Sequence, residues 1–190
     1  MPILSAEIDL SPADLLETSP PFCAETSEEM PQWWVFHTRA RQEKSLARDL
    51  LAWEIPFYLP LVRRKLLIRG KPVQSRVPLF SSYVFVFGSP EARLQAYRTN
   101  RVAHVLAVSD GDQLRSDLLS VQRLISANSP LTVESRLTPG CRVRVRSGAM
   151  AGLEGTVIKR KGGCRLLVAV TMLQQGVSVD VDDYLLDPVN

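Results

Sequence analysis

The side chains of this 190-residue chain best suited to ligating a metal or attacking a substrate are three cysteines and two histidines. Their spacing supports neither role. Cys23, Cys141 and Cys164 lie far apart with no CxxC pair, which excludes a zinc knuckle and a disulfide framework. His37 and His104 stand in no ligand pattern with a carboxylate or thiol and read as structural or surface residues. HExxH, GxSxG and Walker-type phosphate loops are absent from the sequence, so no enzyme, cofactor or metal chemistry is expected. What remains is chemistry of contact. Arg39, Arg41 and Lys44 gather near one helix start, and Arg63, Arg64, Lys65, Arg69, Lys71 and Arg76 share a hairpin with no acid among them. Then comes VPLFSSYVFVF, residues 77–87, the most apolar run in the chain. Its alternation puts Tyr83, Phe85 and Phe87 on one face and Ser82, Val84 and Val86 on the other. Neither face is charged. Either the chain's own helices or a partner must cover each.

Charge is divided along the chain. Residues 1–30 hold seven of the 20 acidic residues and no lysine or arginine, while the other 160 hold all 23 basic residues against 13 acidic ones. A body this basic suits a polyanionic partner. The first 30 residues are rich in Pro, Ser, Thr and Glu and read as a disordered acidic tail. One role for it would be to screen the basic face. No apolar run approaches the ~18 residues of a membrane span. With no signal-peptide layout at the N-terminus, a cytoplasmic monomer is the expectation.

The elements that must position these residues follow from pattern. Trp33–Thr38 is a strand by content. A helix over Arg41–Trp53 carries Leu46, Leu50 and Trp53 as an apolar stripe and Arg41, Lys44 and Arg48 as a basic one, and Pro56 ends it. Phe57–Val62, Lys65–Ile68 and Val73–Val77 read as strands, the last two flanking the turn at Arg69-Gly70-Lys71-Pro72. After the apolar run, Ser89-Pro90-Glu91 starts a helix with an N-cap, Pro at the first position and an acid in the first turn. A strand near Val102–Val108 and a helix near Ser116–Ser126 complete an α+β domain over 31–126, with helices packed on a mostly antiparallel sheet. Residues 127–137 read as a linker, whose ~11 residues would span about 15–20 Å if flexible. From 138 to 190, short strands at Arg142–Arg146, Gly155–Lys159, Leu166–Thr171 and Ser178–Val181 alternate with glycine turns, as in a small SH3-like barrel.

Gly148-Ala149-Met150-Ala151-Gly152-Leu153-Glu154-Gly155-Thr156-Val157, set between Val-rich strands, resembles the KOW motif, with Ala149 where Pro is usual. The Trp33–Thr38 strand, its following helix and Pro78-Leu79-Phe80-Ser81-Ser82-Tyr83-Val84 together resemble the N-terminal domain of the NusG family of transcription elongation factors. Its usual form of that segment is Leu-Phe-Pro-Gly-Tyr-Val. The ungapped spacing from Trp33 to Arg69-Gly70-Lys71 and to Pro78-Leu79-Phe80 is similar to the specialised RfaH-type paralogs. A His-Thr-Thr motif of that type has no match in Glu91–Arg98, and the KOW pattern here favours a permanent barrel over a fold switch.

The resemblance implies a factor that binds the clamp helices of the largest RNA polymerase subunit through Phe80, Tyr83 and Phe85, and suppresses pausing or termination. It implies contact of Arg39, Arg41, Lys44, Arg69 and Lys71 with the non-template DNA strand. It also implies recruitment of a further factor through the KOW domain. The family's Phe-Gly-Arg loop for ribosomal protein S10 or Rho corresponds to Leu173-Gln174-Gln175, which weakens that last contact. A ribosome- or RNA-binding KOW protein acting in translation is the alternative that fits the basic body and barrel.

Overall fold

The computed structural model describes residues 8–17, 30–68, 71–136, 140–160, 163–182 and 185–189. The chain divides into two compact units, residues 1–111 and 112–190.

The first unit is built on a five-stranded antiparallel sheet. Its strands are β1 (Leu10–Ser11), β2 (Gln32–Thr38), β3 (Phe57–Tyr58), β6 (Tyr83–Gly88) and β7 (Val102–Ala107), in the order β1-β3-β6-β2-β7. Helices α1 (Glu43–Ala52) and α2 (Pro90–Arg98) belong to the same unit. Trp34 and Phe36 of β2, Phe57 of β3 and Val84 and Val86 of β6 join Leu46, Ala47, Leu50 and Ala96 of the helices in one buried cluster. The predicted stripe on α1 is thus real for Leu46 and Leu50, each fully buried. Trp53 leaves it, 38% exposed, because the helix ends at Ala52 and the next residues turn away, with Glu54 at φ 57°. At α2 the capping signals hold: Ser89 Oγ accepts a hydrogen bond from the Ala92 amide at 3.4 Å, and Pro90 opens the helix.

β4 (Leu61–Ile68) and β5 (Lys71–Pro78) form a separate two-stranded antiparallel sheet, longer than the short strands the sequence suggests. The disordered-tail reading needs a correction over residues 8–17, while residues 1–7 and 18–29 lie outside the described residues. Leu10 and Ser11 pair with Tyr58 and Phe57, the Leu59 amide donates to Asp9 O at 2.7 Å, and Leu15 and Leu16 are buried. Two leucines in tandem supply enough apolar area to fix a segment whose composition otherwise reads as solvated.

In the second unit, six antiparallel strands lie in the order β13-β9-β10-β11-β12-β8. They are β8 (Leu131–Glu134), β9 (Cys141–Val145), β10 (Glu154–Arg160), β11 (Gly163–Val170), β12 (Gln175–Val181) and β13 (Leu186–Pro188). β8 corrects the linker reading, since it pairs with β12 over Leu131–Glu134. Its polar sequence hid a side-chain network: Arg165 donates to Thr132 Oγ1 at 2.9 Å and to Ser178 Oγ at 3.0 Å, and Ser178 Oγ donates to Glu134 Oε1 at 2.6 Å. Helix α3 (Gly111–Ser126) falls almost entirely in this unit and not with the first sheet. Its Asp117 accepts from Gln113 at 2.7 Å and from the Thr171 amide at 2.8 Å, tying the helix to the 3₁₀ turn Thr171–Leu173. Gly152, at φ 79°, supplies the left-handed turn that leads into β10.

Candidate functional site

β6 lies inside its sheet, with β3 on one side and β2 on the other. Val84 and Val86 face the helices, as alternation requires. The aromatic face is not what the sequence suggests. Phe80 is 1% exposed and Phe85 fully buried, with their rings edge-on at 6.3 Å between centroids. Phe87 is half-buried against Trp33, ring centroids 5.5 Å apart. Of the three expected anchors only Tyr83 retains exposed surface. Alternation tells which residues share a face. It does not tell how deeply that face is covered, and here Phe80 and Phe85 are core.

Tyr83 has companions that sequence reasoning missed. In register with it across β2 is His37, and across β7 from His37 is His104. The His37 ring meets Tyr83 at 5.1 Å and stacks on His104 at 6.1 Å. His104 is exposed, His37 half-buried, and Leu106, two residues along β7, is 36% exposed. The result is a row of rings crossing three strands and ending in an exposed leucine on the same face. His37 Nδ1 is buried without a hydrogen-bond partner among the described residues. Nothing in the sequence spacing of 37, 83 and 104 signals the row, because only the strand pairing creates it.

The turn that feeds Tyr83 into the sheet is tightly held. Ser82 sits at φ 66°, its amide donates to Glu43 Oε1 at 2.7 Å, and its carbonyl accepts from the Thr38 amide at 2.8 Å. Glu43 is buried at 7% exposure, a carboxylate spent on a backbone amide. A positive φ is a conformation that glycine adopts freely and serine at a cost.

The basic residues separate into two groups. Arg39 and Arg41 are exposed and Lys44 is half-buried in the first turn of α1. Arg41 is not on the helix, which starts at Glu43, but precedes it at φ 61°. The expected helical stripe therefore shortens to Lys44 and Arg48, with Arg39 and Arg41 presented from the loop before it. Arg101 braces that loop. Its amide-side carbonyl accepts from the Arg39 amide at 2.7 Å, while its guanidinium donates to Asp49 and Gln42, each at 2.7 Å.

The second group is on the hairpin. Arg63 and Arg64 are exposed on β4, and Arg63 lies directly opposite Arg76 of β5. Like charges facing across strands repel, and Asp9 Oδ2 offsets this with an ion pair to Arg76 at 2.5 Å. Beside them the phenol of Tyr58 is pushed well above its ordinary range, first by burial and then by the Asp9 carboxylate. Arg69 lies outside the described residues, as does the side chain of Lys71, the first residue of β5. In the second unit, Leu173 ends the 3₁₀ turn and Gln174 adopts φ 52°. Among the described residues no three His, Cys, Asp or Glu side chains gather as a metal site. No described helix is long and apolar enough to cross a membrane.

Comparison with known proteins gives a family match over part of the chain. Residues 31–117 match the family described as "NusG: Transcription termination factor nusG". Among solved structures, the chain is similar to one titled "Domain interaction in Thermotoga maritima NusG", at 15% identity and a TM-score of 0.45, covering 86% of this chain and 100% of that one. No curated protein matches the sequence.

Proposed function

We propose that this NusG-like protein is a transcription elongation factor that docks on the clamp helices of RNA polymerase through the Tyr83 face of its first unit. The NusG-family match over residues 31–117 is the observation that carries this reading. Tyr83, His37, His104 and Leu106 form the contact surface, while the buried Phe80 and Phe85 rings stiffen the strand beside it. A half-exposed tyrosine flanked by imidazoles has the aromatic, amphipathic character of an interface anchor. Arg39, Arg41 and Lys44, with the hairpin's Arg63, Arg64, Arg69 and Lys71, run along the non-template strand. Their attraction to phosphates is sequence-independent and falls with salt. The second unit, with glycine turns at Gly148 and Gly152, acts as a KOW module that recruits a second factor. The protein performs no bond chemistry; it bridges.

Two experiments test this. Tyr83→Ala combined with His104→Ala should abolish co-purification with RNA polymerase while leaving the fold intact, and undiminished retention overturns the docking face. The ungapped spacing from Trp33 to the hairpin supports the RfaH-type assignment within this proposal. Occupancy mapped along the genome should then concentrate at a few loci, and uniform occupancy of transcribed genes overturns that refinement.

A further inference from the structure

The segment 8–17 is a strap across the root of the basic hairpin. Its hold is of three kinds. β1 adds two residues to the edge of β3. Leu15 and Leu16 are buried, and the turn that carries them is closed by the Leu15 amide donating to Pro12 O at 3.1 Å and the Glu17 amide to Asp14 O at 2.9 Å. The third is electrostatic, the Asp9–Arg76 pair. The first two fix the segment in place, so the carboxylate of Asp9 is delivered to Arg76 already ordered. Arg76 stands opposite Arg63 in the hairpin ladder, so two basic residues of adjacent strands share one register position, and an anion there is attracted to both.

We propose that the strap is an intramolecular competitor for nucleic acid, with the Asp9 carboxylate occupying the position on Arg76 that a backbone phosphate of single-stranded DNA would take. The inference rests on the nucleic-acid reading given above and deepens it. While Asp9 is in place, the hairpin root presents one cation fewer to a strand. Asp14 and Glu17, both exposed, lie on the same strap. When a strand arrives at high local concentration, as it would beside a docked polymerase, phosphate and carboxylate exchange on Arg76. Free protein is thereby kept from binding nucleic acid indiscriminately.

The test is binding of the full-length protein to a fluorescent 20-nucleotide oligo-dT across a salt series. Asp9→Asn keeps the strand pairing and the leucines but removes the charge. It should bind about three- to fivefold more tightly at low salt, the size of one partly exposed ion pair. Its log–log salt slope should steepen by about 0.7, one additional phosphate contact on a single strand. Adding Arg76→Gln to Asp9→Asn should return both values to those of the wild type. Equal affinity and slope for wild type and Asp9→Asn overturns the strap's role and leaves the nucleic-acid reading standing. Failure of every variant, wild type included, to bind at low salt overturns the nucleic-acid reading and the strap's role together. Thermal melts of Asp9→Asn separate these results from unfolding. If it melts early, Asp9→Ser combined with a strand-stabilising Ser11→Thr gives the same comparison.

Discussion

The two units solve the same problem with different materials. In the sequence, every Trp and Phe, and every Tyr but Tyr184, falls in residues 1–111. There Phe36, Phe57, Phe80 and Phe85 are all buried to within 1%. The second unit uses Val143, Val145, Leu166, Leu167, Val168, Val170, Val177 and Val179 instead. Its strands are bound on the surface by arginine–carboxylate pairs: Arg144 with Glu154 at 2.5 Å, Arg165 with Asp180 at 2.9 Å, and Arg146 with Asp187. Rings such as Trp34, Phe36 and Phe57 fill the wide space between sheet and helices. Branched aliphatics and glycines suit a small sheet whose backbones run close. A Cβ on Gly155 would stand 2.6 Å from Leu167 O, and one on Gly176 2.8 Å from Val168 O.

The contrast can be broken from either side. Phe85→Ala empties the ring core and should cost the first unit about 3–5 kcal/mol. Tryptophan fluorescence in urea reads that unit alone, since Trp33, Trp34 and Trp53 all lie in it. Gly155→Ala should leave that signal in place and cost the second unit about 1–3 kcal/mol by overpacking against backbone, seen as faster amide exchange along β10 and β11. Glu43→Ala leaves the Ser82 amide unpartnered in a buried turn and should cost about 1–3 kcal/mol, with Glu43→Gln retaining most of it. Ser82→Gly should act in the opposite direction. It relieves a left-handed non-glycine residue at the expense of a freer unfolded chain, for a net gain of up to about 1 kcal/mol in the urea midpoint.

The smallest effect is the pH dependence of the surface pairs. Arg144 holds the Glu154 carboxyl below its ordinary range, and Arg146 does the same for Asp187. A carboxylate depressed in the folded state contributes stability that is complete above its unfolded pKa and is lost as pH falls through its folded one. The second unit should therefore weaken on acidification, and Glu154→Gln with Asp187→Asn should flatten that limb. An unchanged acid limb in the double variant would show that the pairs are ornamental.

How much was legible follows the same division. The α+β architecture, the start of α2, the Leu46–Leu50 stripe and the strand face carrying Val84 and Val86 could all be read from periodicity and capping, because those are properties of neighbours in sequence. Phe80 and Phe85 could not be placed, since an alternating strand looks the same with a bare or a covered outer face. β1 and β8 are short and polar, and each is fixed by partners more than 40 residues away. The Tyr83–His37–His104 row is likewise a product of pairing. Ser82 and Gln174 carry the opposite lesson. Neither is a glycine, yet both hold the left-handed backbone that a glycine would have announced in the sequence.

The hairpin is also a lever. Eight residues in each of β4 and β5 give it an arm of about 25 Å. At that length a rotation of about ten degrees at Leu61 and Pro78 swings the far end by about 4 Å, close to one strand spacing. Asp9, Tyr58 and Arg76 grip the short end of the arm. A small change of angle there becomes a large displacement of the far ends of β4 and β5, so where the hairpin points is decided at its root.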